Sequence, residues 1–294
     1  MKTAEYVAYF CEKWHYPEEA KAVLTDAYQR IASNRAALQR FHENAAQFWD
    51  SGFSDGNAVL SRLNEIAEQT CIHRYTVHLL FYLCLSQELW PVYQKAGLSE
   101  QIFYDSMADL KWKLMECHAM YGIWGSFVAS WFREFFTCER FALGRLQFER
   151  VRFAHTYQRG CHAYDPDDIA INIHIPSSGP LHHAECEAAY RQAAGFFHDL
   201  PANKPKLFVC NSWLLFPPHE KMLPQASNIR RFMRDFDIIE SHQDDRFGDL
   251  WRIFYQEYTG DPSLLPTNTG LQRAYVDWLM KGNTVGSGYG VMLL

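Results

Sequence analysis

The sequence predicts an α+β protein: an all-helical N-terminal domain followed by a mixed β-sheet domain with flanking helices. Apolar residues recur at helical spacing through roughly the first 135 positions. Near residue 138 the period changes to two, and segments typical of strands and helices then alternate to the end. Such a mixed order is typical of layered domains. We therefore expect a helical domain at 1–136 and a sheet domain at 137–294.

Aromatic residues and a proline mark the first helices. Tyr6, Phe10 and Trp14 recur every four residues and predict one buried stripe. Pro17 precedes two glutamates and suits a helix start, because proline needs no NH partner there and acids suit the positive helix end.

Further along the helical domain, start signals and one proline define the expected elements. A helix over 71–90 is expected to be interrupted or kinked by Pro91. Ser99 suits the N-cap of the next helix. The segment 119–136 is apolar on nearly every side, so we expect it to form the most buried helix.

The sheet domain is predicted from alternation. Residues 139–149 alternate as one strand, and a second is expected at about 151–158. Isoleucines at 169, 171, 173 and 175 predict a third strand, with Asn172 and His174 on its opposite face. The remaining expected elements are a helix at 182–199, a strand at 207–211, a helix at 219–234, a hairpin of 237–242 and 250–256, a helix at 267–281 capped by Thr267, and a strand at 289–294.

Composition excludes several classes of function. The net charge of −6 and the lack of a basic run argue against a nucleic-acid-binding protein. The longest apolar runs are too short to span a bilayer, so no membrane role is expected. The eight cysteines form no Cys-x-x-Cys pair, and no secretory signal precedes them. Reduced thiols in a cytoplasmic protein fit this usage best.

Three phrases carry a resemblance: ERFALGRLQFE at 139–149, IHIPSSG at 173–179 and CNSWL at 210–214. The chain resembles a bacterial acyltransferase family with a helical N-terminal domain and a GNAT-like C-terminal domain. The resemblance covers essentially the whole chain. It implies transfer of an acyl group from acyl-coenzyme A to an amine of a small-molecule or peptide acceptor, with no metal. A homodimer is also predicted.

The resemblance implies a coenzyme A site after the third strand. In GNAT enzymes, a glycine-rich loop and a helix start hold the pyrophosphate through backbone NH groups. The residues at that position are Ser177, Ser178, Gly179 and Leu181, and Asn211 is assigned to the same ligand from the next strand. The family's arginine or glutamine and second glycine are absent, and Pro180 has no NH. A tight strand-to-helix turn capped by serine is the alternative.

The catalytic candidates flank this loop. His174 is expected to accept a proton from the incoming amine, Glu149 to act as a base, and Ser212 to polarise or protonate the leaving thiolate. A histidine simply bonded to a neighbouring strand is the alternative for His174. Arg145, Gln147 and Trp213 are the substrate-binding candidates, with a salt-bridged surface as the alternative for the charged strand.

Two further interpretations remain open. A domain that has lost its coenzyme A loop would be a non-catalytic protein that binds a ligand or a partner. A cysteine-dependent enzyme would use Cys210 as a nucleophile beside His174, although a buried Cys210 would be a small hydrophobic residue. His182 and Cys186 lie four apart on one helix face, but two ligands do not make a zinc site.

Overall fold

A computed structural model describes residues 3–201 and 203–294. The chain divides into two compact units, with the boundary in the sequence between Phe141 and Ala142. In the described part of the chain, no helix has both the length and the apolar character needed to cross a lipid bilayer. The fold class predicted from the sequence is confirmed, because the first unit is helical and the second contains the sheet.

The first unit is built from seven helices in the described residues. They are α1 (Thr3–Lys13), α2 (Glu18–Ser33), α3 (Arg35–Asp50), α4 (Gly56–Thr70), α5 (Arg74–Lys95), α6 (Glu100–Tyr121) and α7 (Arg133–Phe136). The stripe of Tyr6, Phe10 and Trp14 is buried as predicted. Pro17 directly precedes α2, and the Ser99 side chain accepts a hydrogen bond from the Ile102 amide as the N-cap of α6.

The structure differs from two predictions about these helices: an interruption at Pro91 and one helix over 119–136. Pro91 does not interrupt α5, which continues to Lys95. The proline removes one backbone NH donor, and α5 continues for about one further turn beyond it. The segment 119–136 is not one helix: Gly122 takes a left-handed φ of 69° and ends α6. The most buried helix is α5, which contacts α1, α2, α3, α4 and α6.

The second unit is organised around a six-stranded sheet with the order β1-β2-β5-β6-β8-β7. Its strands are β1 (Arg140–Leu143), β2 (Leu146–Arg152), β5 (Ile169–His174), β6 (Leu207–Ser212), β7 (Asp237–Asp244) and β8 (Val285–Leu293). A separate hairpin pairs β3 (Tyr157–Arg159) with β4 (His162–Tyr164). Strands β5 and β6 are parallel, whereas β2–β5, β6–β8 and β7–β8 are antiparallel.

The segment predicted as one strand over 139–149 is a hairpin. Gly144 has a φ of 66°, which glycine adopts without strain, and the chain reverses between β1 and β2. Arg145 therefore lies in a turn, and Glu149 lies on a different strand from Phe141. Residues 151–158 do not form one strand either, because β2 ends at Arg152 and β3 begins at Tyr157.

The C-terminal elements also differ in detail from the prediction. Residues 251–254 form a short helix, α11 (Trp251–Phe254), and β7 pairs with β8 instead. The predicted helix at 219–234 is two helices, α9 (His219–Met222) and α10 (Asn228–Met233), with Pro224 between them. The last helix, α12 (Gly270–Met280), is capped by Thr269 and not by Thr267.

The middle of β5 is buried, and helical segments pack against β6 and β8. Ile171 and Ile173 are buried, whereas Ile169 at the start of β5 is 42 % exposed. Tyr190 of α8 (His183–Phe196) contacts the ring of Phe208 in β6. A single-turn 3-10 helix (Trp213–Leu215) follows β6 and contacts β8.

Three alternate glycines of β8 allow this close packing. A Cβ on Gly286, Gly288 or Gly290 would lie 2.1 Å from His242 O, 2.2 Å from Leu215 O or 2.7 Å from Leu215 Cδ1, respectively. All three distances are shorter than a van der Waals contact. The 3-10 helix after β6 therefore rests directly on the backbone of β8.

Candidate functional site

The parallel strands β5 and β6 pair over a short length only. In the described residues, their ladder joins Ile171 to Phe208 and Asn172 to Val209. Strand β5 continues to His174 and β6 to Ser212 beyond this ladder. We call this unpaired stretch, at the carboxyl ends of two adjacent parallel strands, the gap. Open α/β sheets bind ligands at this kind of position.

His174 and Glu149 meet beside this gap. His174 Nε2 lies 2.7 Å from Glu149 Oε1, and Asn172 Nδ2 donates to the same oxygen at 3.2 Å. The register pairs Gln147 with His174 and Glu149 with Asn172, so all four side chains share one face. With side-chain exposures of 20 % for His174 and 14 % for Glu149, the pair is shielded but reachable.

The contact with Glu149 defines the useful tautomer of His174. A carboxylate only accepts hydrogen bonds, so the contact with Glu149 requires the proton on Nε2 and leaves the imidazole lone pair on Nδ1. In this tautomer Asn172 Nδ2, which lies 3.1 Å from Nε2, donates to Glu149 and not to the ring. This is the arrangement of a general base with an orienting carboxylate.

The loop after β5 is held by Arg145. Its guanidinium donates to the carbonyl oxygens of Pro176 at 3.0 Å, Gly179 at 2.8 Å and Pro180 at 3.2 Å. Burial lowers the pKa of Arg145, but a guanidinium stays charged at neutral pH. The bonds observed for Arg145 thus hold a loop, whereas the sequence predicted a substrate-binding residue within one strand over 139–149.

The loop leads directly into α8. Ser177 and Gly179 are exposed, Ser178 is half-buried and Leu181 is buried. The first turn of any helix presents amide NH groups without partners inside the helix, together with a positive dipole end. The residues from Ser177 to the start of α8 can therefore present several donors to an anion.

An aspartate just after α10 supports the start of α8. His183 Nε2 lies 2.8 Å from Asp235 Oδ1, and Tyr190 OH donates to Asp235 Oδ2 at 3.1 Å. Burial and the nearby Asp235 raise the pKa of Tyr190 well above its usual value, so its hydroxyl stays protonated. Asp235 follows α10, 52 positions from His183, and the sequence offered no signal for this contact.

On the other side of the gap, β6 ends in Asn211 and Ser212. Asn211 is exposed and pairs with Tyr289 across the β6–β8 ladder. The Ser212 oxygen accepts a hydrogen bond from the Leu214 amide at 3.1 Å, which leaves its hydroxyl proton to be donated elsewhere. Ser212 thus caps the 3-10 helix that follows.

Trp213 and a buried histidine stabilise that 3-10 helix. The Trp213 ring meets the rings of His219 and Tyr275 edge-on, with centroids 6.1 and 6.2 Å apart. His219 Nδ1 donates to Leu214 O at 3.3 Å, and Tyr275 OH donates to His219 Nε2 at 2.5 Å. Burial lowers the pKa of His219 to about 4, so the imidazole is neutral. The sequence did not indicate this pair.

The predicted site residues divide into three groups. His174 and Glu149 lie together on one face, with Gln147 buried beside them. Arg145 lies against the loop that contains Ser177, Ser178, Gly179 and Leu181. Asn211, Ser212 and Trp213 follow the far edge of the gap.

Cys210 is poorly suited to act as a nucleophile. It is fully buried, and burial raises the pKa of its thiol to about 12. A thiol in that state is almost never the reactive thiolate. Within residues 3–201 and 203–294, no group of three or more histidine, cysteine, aspartate or glutamate residues is arranged to hold a metal ion.

Two family models match the chain. One, the GNAT-like C-terminal domain, matches residues 141–292. The other, the N-acyltransferase N-terminal domain, matches residues 5–138. Among curated proteins, no sequence matches this chain.

Several solved structures share the fold. An acyltransferase in complex with decanoyl-CoA and teicoplanin is 18 % identical, with a TM-score of 0.71, covering 97 % of this chain and 86 % of that one. A mutant acyltransferase in complex with octanoyl-CoA is also 18 % identical, with a TM-score of 0.73 and the same coverage. An acyltransferase in complex with CoA and 10C-teicoplanin is 17 % identical, with a TM-score of 0.64, covering 98 % of this chain and 99 % of that one.

Proposed function

Because the chain belongs to the family defined by the GNAT-like C-terminal domain, we propose that it transfers an acyl group from acyl-coenzyme A to an amine. The observation that carries the proposal is the gap between β5 and β6, with the His174–Glu149 pair on one side and the loop held by Arg145 at its end. We assign the acyl-donor site to residues 137–294.

The reaction needs one proton acceptor and one proton donor. The amine nitrogen attacks the thioester carbonyl, a C–N bond forms and the C–S bond breaks. His174 takes the proton that the amine loses, with Glu149 stabilising the imidazolium. The leaving thiolate, which accepts a hydrogen bond from the Ser212 hydroxyl, takes the proton that the imidazolium holds, so the products are an amide, free coenzyme A and a neutral His174.

Coenzyme A would be held by the loop and by the edge of β6. Ser177, Ser178, Gly179 and Leu181, together with the start of α8, are suited to its pyrophosphate because they combine hydroxyl groups, backbone NH groups and a positive helix end. Asn211 is assigned to the pantetheine arm. Holding both reactants in line would supply much of the rate enhancement.

The acceptor is proposed to be a small molecule or peptide with an unprotonated amine at the moment of attack. One similar structure holds the glycopeptide teicoplanin together with decanoyl-CoA, and another holds octanoyl-CoA. This supports a soluble polar acceptor and a fatty acyl donor here. Gln147 and Trp213 are the proposed acceptor contacts. All eight cysteines are free, which supports a reducing compartment such as the bacterial cytoplasm.

The decisive experiment combines binding and turnover. Decanoyl-CoA at about 100 times its Kd should raise the free energy of unfolding by about 2.7 kcal/mol, seen as a higher melting temperature. Turnover is then measured as free thiol released in the presence of a panel of amines. If decanoyl-CoA binds but no amine in the panel causes thiol release, the protein would be the non-catalytic ligand-binding alternative. No stabilisation by any acyl-CoA would remove the acyl-donor site altogether.

A further inference from the structure

Arg145 donates three hydrogen bonds to the loop after β5, although it lies in the β1–β2 hairpin. It follows Gly144 in the β1–β2 turn, and its guanidinium reaches the carbonyls of Pro176, Gly179 and Pro180. A planar guanidinium presents its donors in a fixed fork, so it can bring several carbonyl oxygens together on one side of a loop.

The direction of these carbonyls fixes the direction of the neighbouring NH groups. In a trans peptide the C=O and the N–H point in opposite directions, and none of the described peptide bonds is cis. The Pro176 carbonyl points to Arg145, so the Ser177 NH points away from it. By the same geometry, the Pro180 carbonyl directs the Leu181 NH away from Arg145.

The composition of the loop makes this orientation more important. Pro176 and Pro180 have no NH, so the loop has fewer donors than its length suggests. Gly179 has a φ of 104°, a conformation that an L residue rarely adopts. Without the Arg145 guanidinium, the three converging carbonyl oxygens would repel one another. A peptide group of the loop could then rotate, so that a carbonyl oxygen replaces an NH group on the opposite side.

We infer that Arg145 is a positioning residue that orients the Ser177 and Leu181 NH groups toward the pyrophosphate of the acyl donor. This inference rests on the proposed function and deepens it. The family's loop arginine or glutamine is missing from this sequence, and Arg145 from the preceding hairpin supplies a cation behind the loop. It acts on the ligand through the backbone and not through its own side chain.

The test compares two acyl donors that differ only where the loop acts. Decanoyl-CoA carries the pyrophosphate, whereas decanoyl-pantetheine has the same chain and thioester without pyrophosphate or nucleotide. The variants are Arg145→Met and Arg145→Lys, and the Kd of each donor is measured by calorimetry. The matched control is Arg152→Met, because Arg152 is 73 % exposed and pairs only weakly with Asp167 at 3.5 Å.

Losing one or two well-aligned donors to a charged ligand predicts a Kd for decanoyl-CoA about 10 to 100 times higher in Arg145→Met. Arg145→Lys should recover part of the loss, and added guanidinium chloride at millimolar concentration should recover part in Arg145→Met. The Kd for decanoyl-pantetheine should stay within about twofold, as should both values in the control.

The outcomes separate this inference from the proposed function. Equal weakening for both donors would mean that Arg145 only supports the fold, and no weakening would mean that the loop does not depend on it. Either result overturns the inference while leaving acyl transfer intact. If the unaltered protein binds neither donor, the proposed function fails and the positioning role fails with it.

Discussion

The His174 imidazole lies 2.7 Å from the Glu149 carboxylate, although 25 positions separate them in the sequence. Two antiparallel strands bring them together, and the bond uses Nε2. The orientation of the ring edge that contains Nδ1 is thus determined by the sheet and not by a flexible loop. This arrangement gives His174 a fixed orientation before any substrate arrives.

The first prediction concerns this pair. His174→Asn removes the proton acceptor and should lower kcat by about 100- to 10,000-fold with little change in the Kd for the acyl donor. Glu149→Gln keeps the shape but not the charge and should lower kcat by about 10-fold or more. Steady-state kinetics on both variants and the double variant checks this.

Coupling between the two residues gives the control for that experiment. Because they act as a unit, the double variant should lose little more activity than His174→Asn alone. Losses that multiply would show that the two groups act independently. A melting temperature close to that of the unaltered protein is needed to attribute the loss to chemistry.

The second prediction concerns Cys210. Its thiol is buried, with a pKa raised to about 12, so iodoacetamide should not modify it in the native protein. Cys71 and Cys161 are exposed and should react first. Peptide mass spectrometry at increasing times reports the order. The Cys210→Ala variant should retain acyl transfer. A complete loss of acyl transfer in a variant with an intact fold would instead support the cysteine-dependent mechanism.

The third prediction is a pH dependence of stability. An imidazole titrates near pH 6.5 in an unfolded chain, whereas burial lowers the pKa of His219 to about 4. Between these values the unfolded chain binds more protons, so the free energy of unfolding falls as pH drops through this window. From about pH 7.5 to about pH 5, His219 should account for a loss of about 2 kcal/mol.

Two variants isolate this contribution. His219→Asn keeps a donor for the Leu214 carbonyl and removes the titration, so its stability should fall less over the same pH range. Tyr275→Phe removes the bond to Nε2 but keeps the buried imidazole, and its pH dependence should persist. Urea unfolding at the two pH values measures both. Equal pH dependence in the unaltered protein and His219→Asn would refute the assignment.

The fourth prediction concerns the glycines of β8. In Gly288→Ala the new methyl group would lie 2.2 Å from the backbone oxygen of Leu215, which cannot move without shifting the 3-10 helix. We expect a loss of about 1–3 kcal/mol or more in the free energy of unfolding. Gly195→Ala is the matched control, because its Cβ meets nothing within 4 Å and it lies in α8. That change should stabilise by about 0.5–1 kcal/mol.

The parts of the fold that repeat a simple pattern were predictable. The isoleucine alternation located β5, and Ser99 located the start of α6. The hairpin at Gly144 was missed because period-two alternation continues on both sides of a two-residue turn. Thr269 could have been found, since Gln272 three residues later completes a capping box. Gly122 could likewise have predicted the end of α6, because glycine is the usual residue at a helix C-terminus.

The site was predictable only where a single strand supplies it. Asn172 and His174 alternate with buried isoleucines, so their shared face follows from the sequence. The contact with Glu149 depends on the register between β2 and β5. That register cannot be predicted when the turn at Gly144 is interpreted as part of a strand. The partners of Arg145, and the bond between His219 and Tyr275, join residues more than 30 positions apart through tertiary packing. No local pattern encodes such distances.

The short β5–β6 ladder divides the sheet into two antiparallel blocks, β1-β2-β5 and β6-β8-β7, joined by two register pairs. Each block has long ladders of its own, so the seam between them is the place where the sheet can open at least cost. A ligand bound between β5 and β6 would contact both blocks and couple their motions. Amide exchange in β6 and β5 should then slow in concert when the ligand binds, as if one bound molecule had completed the sheet.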